Sequence, residues 1–324
     1  MTDRLRVGVI GVGHLGSRHA EIYAGMPQVR LVAVCDIDAA KAKALAVRLG
    51  TKAVEDFRQL LGRVDAVSIA VPTSLHAAIG RVCLEAGVHV LMEKPLCTRL
   101  ADADALIRTA ARRRVTLMVG HVERFNAAIR AALLRLRHPR FIEVHRLSPY
   151  PFRGTDVSVV LDVMIHDLDL LLAIVRSPVR RVFALGVPVL SPSEDIANAR
   201  LEFASGCVAN VTASRISDEA LRRIRVFQED RYLSIDSKAQ TVELACLRRG
   251  RGRQAQRRGR RIERVQLPVT PGQPLQVELA AFVRAVLARR HPPLSTTEAR
   301  NALALALQIE RTMRRRKQSI VHSP

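Results

Sequence analysis

Along the first 120 residues, short apolar runs alternate with segments whose apolar positions recur at helical spacing. Residues 6–10 read as a strand, followed by a glycine turn from Gly11 to Gly16 and a helical stretch to about Gly25. Residues 29–35 are β-rich and end in Asp36, and Asp38 is placed to cap a helix over 39–49. A strand at 66–71 is halted by Pro72. A helix at 76–86 is followed by Gly87, well placed for a helix ending. A strand at 88–92, a helix capped by Thr98 and running through Arg113, and a strand at 115–119 complete the series. Strands alternating with helices predict a parallel, doubly wound sheet, and near-continuous apolar runs suit strands buried on both faces.

The pattern changes after residue 121. Helices are predicted near 126–136 and 162–175. Between 179 and 267 come β-rich segments at 182–189, 199–203, 207–213, 224–228, 232–235 and 241–247, separated by turns. Strands without intervening helices predict an antiparallel or mixed sheet in an α+β domain. The arginine-rich stretch at 248–261 reads as an exposed hairpin loop. Helices at 275–289 and 296–314 finish the chain, separated by His291-Pro292-Pro293. The expected organisation is a doubly wound α/β domain over 1–120 and an α+β domain over 121–324.

Composition bounds the partners. The chain has 324 residues, 48% of them hydrophobic, enough for two domains with sizeable cores. No apolar run approaches the roughly 18 residues needed to span a bilayer, and the start resembles no signal peptide. The cytoplasm is the expected location. Cys35, Cys83, Cys97, Cys207 and Cys246 are dispersed without a C-x-x-C pair, which fits reduced thiols and no metal site. The net charge of +22 is concentrated in two places. Residues 248–264 carry nine arginines against Glu263, and Arg311, Arg314, Arg315, Arg316 and Lys317 crowd the end, leaving +9 elsewhere. With no Trp and three Tyr, platforms for stacking bases are scarce, so nucleic acid is not the expected partner.

Gly11-Val12-Gly13-His14-Leu15-Gly16 matches G-x-G-x-x-G between a strand and a helix, the context that gives this motif meaning. Gly11 permits the tight turn, Gly13 lets a pyrophosphate approach the backbone, and Gly16 lets helix and strand pack closely. The helix N-terminus, with His14 and Leu15, offers N–H groups to phosphate. Asp36, 20 residues after Gly16, is placed to bond the adenine ribose and to repel a 2′-phosphate. NAD is therefore expected over NADP.

Further motifs follow: Pro72-Thr73-Ser74-Leu75-His76, Glu93-Lys94-Pro95 after the strand at 88–92, Arg124-Phe125-Asn126, and Asp162-x-x-x-His166-x-x-Asp169. With the glycine turn, they resemble the Gfo/Idh/MocA oxidoreductase family, named for glucose-fructose oxidoreductase and inositol dehydrogenase. The resemblance runs along nearly the whole chain. It departs from the usual pattern at Ala127, where proline is common, and at Met164, where glycine is usual. It implies a Rossmann domain followed by a domain with a large open, mainly antiparallel sheet, and a homodimer or tetramer. It also implies Lys94, Asp162 and His166 as the catalytic group, and Pro72, His76, Glu93 and Lys94 beside the cofactor. The chemistry agrees: alcohol oxidation needs a base such as His166, while Lys94 can hold the reacting oxygen. Arg124, Asn126, Arg153 and His166 are the candidate substrate contacts. His14, His19, His121, Glu123 and Tyr150 stand behind them.

The segments 121–126 and 162–167 are similar to a subgroup that oxidises the 3-hydroxyl of UDP-N-acetylglucosamine. The expected activity is NAD-dependent oxidation of a sugar or sugar-nucleotide secondary alcohol. Three alternatives remain: a free sugar or inositol as substrate, a reductase using the same residues, and a non-catalytic dinucleotide-sensing regulator on the same fold.

Overall fold

In the computed structural model, which describes residues 4–150, 157–248 and 261–321, the early apolar runs form one six-stranded sheet. Its strands are β1 (Leu5–Ile10), β2 (Val29–Cys35), β3 (Lys52–Val54), β4 (Ala66–Ile69), β5 (His89–Glu93) and β6 (Leu117–Gly120). They lie in the order β3-β2-β1-β4-β5-β6, and every neighbouring pair is parallel. The connecting helices are α1 (His14–Ala24), α2 (Ala39–Leu49), α3 (Thr73–Glu85) and α4 (Leu100–Arg113). This is the doubly wound order, with its switch point between β1 and β4. β4 and β6 are buried at every position, as helices on both faces require.

Local chemistry sets the boundaries. Asp38 accepts the Lys41 N–H at the start of α2, and Gly50 closes that helix with φ 63°. Gly87 takes φ 80° after α3. Thr98 does not cap α4 as the sequence suggests; Arg99 occupies the N-cap and gives no side-chain cap. The three residues of β3 and the 3-10 turn Phe57–Leu60 are too short to leave a periodic signal.

The second sheet has eight strands in the order β14-β13-β12-β11-β7-β10-β9-β8. These are β7 (Phe141–Leu147), β8 (Val179–Val187), β9 (Ile196–Phe203), β10 (Val208–Ser214), β11 (Leu221–Phe227), β12 (Arg231–Asp236), β13 (Thr241–Arg248) and β14 (Arg261–Gln266). All neighbours are antiparallel except β7 and β10. Burial alternates along the central strands. Ile142, Val144 and Arg146 of β7, Val211 of β10, and Ile224 and Val226 of β11 face the core. The helices α5 (Ala127–Leu133) and α6 (Ile165–Val175) complete this region, with α5 packed on β12 and β13. β13 and β14 pair as a hairpin, and the arginine-rich residues 249–260 between them lie outside the described residues.

Two helices end the chain, α7 (Pro274–Leu287) and α8 (Thr296–Val321). Ser295 and Glu298 form a reciprocal cap at the start of α8: the Ser295 N–H donates to Oε2 at 3.0 Å, and the Glu298 N–H to Oγ at 3.2 Å. The chain divides into two compact units, Met1–Val122 with Leu275–Ala304, and Glu123–Pro274 with Leu305–Pro324. The sequence places the whole of 121–324 in one domain; the structure returns Leu275–Ala304 to the first unit. Contacts, not chain order, decide this: Leu279 and Phe282 are fully buried, and Arg300 grips Asp104 of α4 at 2.6 and 3.0 Å.

Candidate active site

The first unit carries the dinucleotide turn. Gly11 has φ +84°, and a Cβ there would lie 2.6 Å from the Ala70 carbonyl oxygen. A Cβ on Gly16 would lie 1.8 Å from the Gly11 oxygen, so α1 approaches the turn as only glycine allows. Around Gly13 there is nothing within 4 Å of such a Cβ, and Gly13, His14 and Leu15 are exposed. Gly13 is the N-cap of α1, with no side-chain cap and no acid in the first turn. An open glycine at an uncapped helix start fits a pyrophosphate.

Asp36 stands at the end of β2, half-buried. Its Oδ2 accepts the Val12 N–H at 2.7 Å and its Oδ1 accepts the Asp38 N–H at 2.9 Å. The carboxylate thus fastens the strand end to the glycine turn. Each oxygen keeps a further lone pair for a ribose hydroxyl.

The Glu93-Lys94-Pro95 turn leaves β5 at the same end of the sheet, and its Lys94–Pro95 peptide is cis. Lys94 is half-buried. Glu93 and His76, read from the sequence as cofactor contacts, are turned inward instead. Glu93 is 8% exposed; one carboxylate oxygen lies 3.1 Å from His19 Nε2 and the other accepts the Lys94 N–H at 3.2 Å. Burial would push the Glu93 carboxyl up, but the facing His19 imidazole at 3.1 Å and the Lys94 charge and N–H outweigh it and hold it below the usual carboxylate value. His76 is 1% exposed, with Nδ1 2.9 Å from the Pro95 oxygen and Nε2 3.0 Å from the Val71 oxygen. Burial lowers its pKa, against the pull of those carbonyls. Pro72 is the exposed N-cap residue of α3.

The second unit carries the candidate acid–base pair, Asp162 and His166. Asp162 sits in a π-helical turn, Val160–Met164, that leads into α6. Such turns are rare and occur frequently at functional sites. His166 lies in the first turn of α6, and both residues are half-buried. The sequence expectation of one continuous α-helix from 162 is corrected here. The turn is anchored by Ser158, which donates to Glu310 at 2.6 Å and accepts the Leu161 N–H at 3.4 Å.

Other candidates from the sequence are committed to structure. Arg124 forms a two-pronged pair with Asp169, 11% and 2% exposed. Asn126 caps α5 through the Ala128 N–H at 3.0 Å and donates to the Ser237 oxygen at 2.8 Å. Glu123 accepts from Arg146 at 2.9 Å, and Arg146 also holds both oxygens of Asp167 at 2.8 Å. Burial opposes the Arg146 charge, but Asp167 and Glu123 raise its pKa overall. His121 is buried and Tyr150 half-buried. Arg153 lies outside the described residues.

Sequence reasoning missed two features beside these. Arg146 occupies a core position of β7, so its partners Asp167 and Glu123 were not anticipated. Arg215 and Asp195 form a fully buried pair at 2.9 Å, with Arg215 also donating to the Val157 oxygen at 3.0 Å. Among the described residues, no group of His, Cys, Asp and Glu could hold a metal ion, and no helix is long and apolar enough to cross a membrane.

Comparison with known proteins agrees with this layout. Residues 5–121 match the model of the oxidoreductase family with an NAD-binding Rossmann fold, and residues 128–234 match the GFO/IDH/MocA C-terminal domain. The chain is 40% identical over 308 residues to UDP-N-acetylglucosamine 3-dehydrogenase of Acidithiobacillus ferrooxidans, covering 94% of this chain and 96% of the relative. It is 28% identical to myo-inositol 2-dehydrogenase of Thermotoga maritima, covering 97% of each. The solved structure of the Acidithiobacillus enzyme superposes with a TM-score of 0.87 at 37% identity, covering 95% of this chain and 97% of that one. The chain is an oxidoreductase of the Gfo/Idh/MocA family.

Proposed function

We propose that this enzyme oxidises the 3-hydroxyl of UDP-N-acetylglucosamine or a closely similar sugar nucleotide, with NAD as acceptor. The observation that carries the substrate is the 40% identity to the Acidithiobacillus 3-dehydrogenase across nearly all of both chains. NAD is preferred over NADP on account of Asp36, whose carboxylate at the end of β2 would repel a 2′-phosphate.

Bound NAD supplies the hydride-accepting ring. The chain supplies the rest. The amides at the start of α1 receive the pyrophosphate, and Asp36 receives the ribose. His166 takes the hydroxyl proton as the alcohol carbon loses hydride. Lys94 donates a hydrogen bond to the same oxygen and stabilises its developing charge. Asp162 orients the hydroxyl beside His166. The Arg124 and Asn126 side chains, spent on Asp169 and on the backbone, are not assigned to substrate; Arg153 is retained as a substrate contact. Phe183, Leu185 and Val187 on the edge strand β8 are 51%, 50% and 45% exposed, which supports self-association into a dimer or tetramer.

Lys94→Ala and His166→Ala test the assignment. Each should lower turnover by about 10²–10⁴ while NADH binding, followed by fluorescence, is kept. Near-normal turnover in either variant would remove that residue from the reaction. Asp36→Ser should relax the preference for NAD; tighter binding of NADP than NAD by the unmodified protein would overturn the cofactor assignment.

A further inference from the structure

Lys94 is held through its backbone by two buried imidazoles. On the N-terminal side, its N–H donates to Glu93, and the other oxygen of that carboxylate meets His19 of α1 at 3.1 Å. The carboxylate is also wedged against β6: a Cβ on Gly120 would lie 3.2 to 3.3 Å from three of its atoms. On the C-terminal side, the carbonyl of Pro95 meets His76 of α3 at 2.9 Å, and the same ring reaches the Val71 carbonyl at 3.0 Å. His76 therefore stands between the segment after β5 and the segment after β4, its neutral ring donating to one of the two carbonyls. Both segments leave the sheet at its ligand-binding end.

His19 is 0% exposed and His76 1% exposed, so neither ring presents an atom to a ligand. Stability alone does not explain the His19–Glu93 pair. Replacing a buried ion pair by apolar groups of the same volume is often neutral or favourable. What the arrangement achieves is geometric, because it fixes the peptide group before the half-buried Lys94 and the one after Pro95.

We propose that His19, acting through Glu93, and His76, acting through the Pro95 carbonyl, are positioning residues for Lys94. The proposal rests on the catalytic reading of Lys94, and the two are separable by experiment. Misplacing a reacting group by 1 Å costs on the order of 10² in rate, so loosening either brace should lower kcat with little change in cofactor affinity. His19 lies on the helix that begins at the dinucleotide turn, so one element serves both the pyrophosphate and Lys94.

The test uses His76→Gln and Glu93→Gln in the full chain, with two readouts. The first is the rate at which an amine-acylating reagent modifies Lys94 in the cofactor-free protein, measured by mass spectrometry against the exposed Lys41. The second is kcat beside the Kd for NADH. The expected result is a changed Lys94 rate with Lys41 constant, a kcat lowered by roughly 10- to 100-fold, and a Kd within about threefold. Should His76→Gln fail to fold, Glu93→Gln carries the test, since it keeps an oxygen for the Lys94 N–H and replaces the charged oxygen facing His19 by an amide NH2. An unchanged Lys94 rate in the folded variants would overturn the proposal. A Kd that weakens in step with kcat would overturn it too, by placing the effect on the cofactor. If Lys94→Ala stays active, the catalytic reading of Lys94 fails, while the labelling result still reports whether the braces hold it.

Discussion

The two sheets solve the same problem differently. In the first, β4 and β6 are buried at every position and carry no charged side chain. In the second, burial alternates along β7, and one of its three core positions is Arg146. A strand covered on both faces has no place for a charge. A strand covered on one face can turn a charge inward if partners meet it, as Asp167 and Glu123 do. The comparison teaches that charged side chains on the strands of the first sheet sit at or near strand ends, while in the second sheet one also passes through the core, beneath the helix that bears His166.

The strongest way to break this comparison is Arg146→Ala. It leaves Asp167 buried without its paired cation and Glu123 with only the half-exposed Arg222 at 3.7 Å, and should cost about 3–5 kcal/mol, read from denaturant unfolding. A loss below about 1 kcal/mol would mean that the network contributes only what an exposed pair does. In the first unit the counterpart is backbone contact. Gly16→Ala places a Cβ 1.8 Å from the Gly11 oxygen and should cost about 1–3 kcal/mol, as overpacking does, together with NADH affinity. Unchanged binding would show that the turn tolerates a wider approach of α1.

Acid separates the units by pH window. In the first, burial lowers the pKa values of His76 and His89. The unfolded chain then binds more protons below the ordinary histidine value, so stability falls as pH drops from about 6.5 toward the folded values. In the second, burial would raise the Asp195 pKa, but hydrogen bonds from Val189, Ser191 and Leu190 lower it overall. Its contribution is complete above the ordinary aspartate value and is lost only as pH falls from about 3.9 toward its folded value. Hydrogen exchange near pH 5 should therefore loosen the first unit before the second; the reverse order would contradict these assignments. The smallest effect is expected from Arg300→Ala, whose pair with Asp104 is about one-third exposed. It should cost no more than about 1 kcal/mol.

Legibility follows the same division. The bounds of β2 and α2 are those the periodicity predicts, because two-sided burial and a capped amphipathic helix write themselves into composition. β7 is invisible by that rule. Arg146 takes a core position and breaks its apolar alternation, although it is the strand on which the second sheet is centred. Residues 275–304 were misassigned because chain order does not record which core a returning helix fills. At the site, the glycine turn, Asp36 and the Glu93-Lys94-Pro95 turn were legible as motifs. The inward orientation of His76 and Glu93 was not, since a motif gives identity and spacing but not the direction a side chain takes.

The most direct test of the central claim follows the hydride itself. UDP-N-acetylglucosamine carrying deuterium at carbon 3 is incubated with the enzyme and NAD, with an aminotransferase and amino donor present to remove the ketone. The account predicts reduced cofactor one mass unit heavier than normal NADH, at a rate that collapses in His166→Ala. Reduced cofactor without deuterium, or none at all while free inositol is oxidised readily, would contradict it.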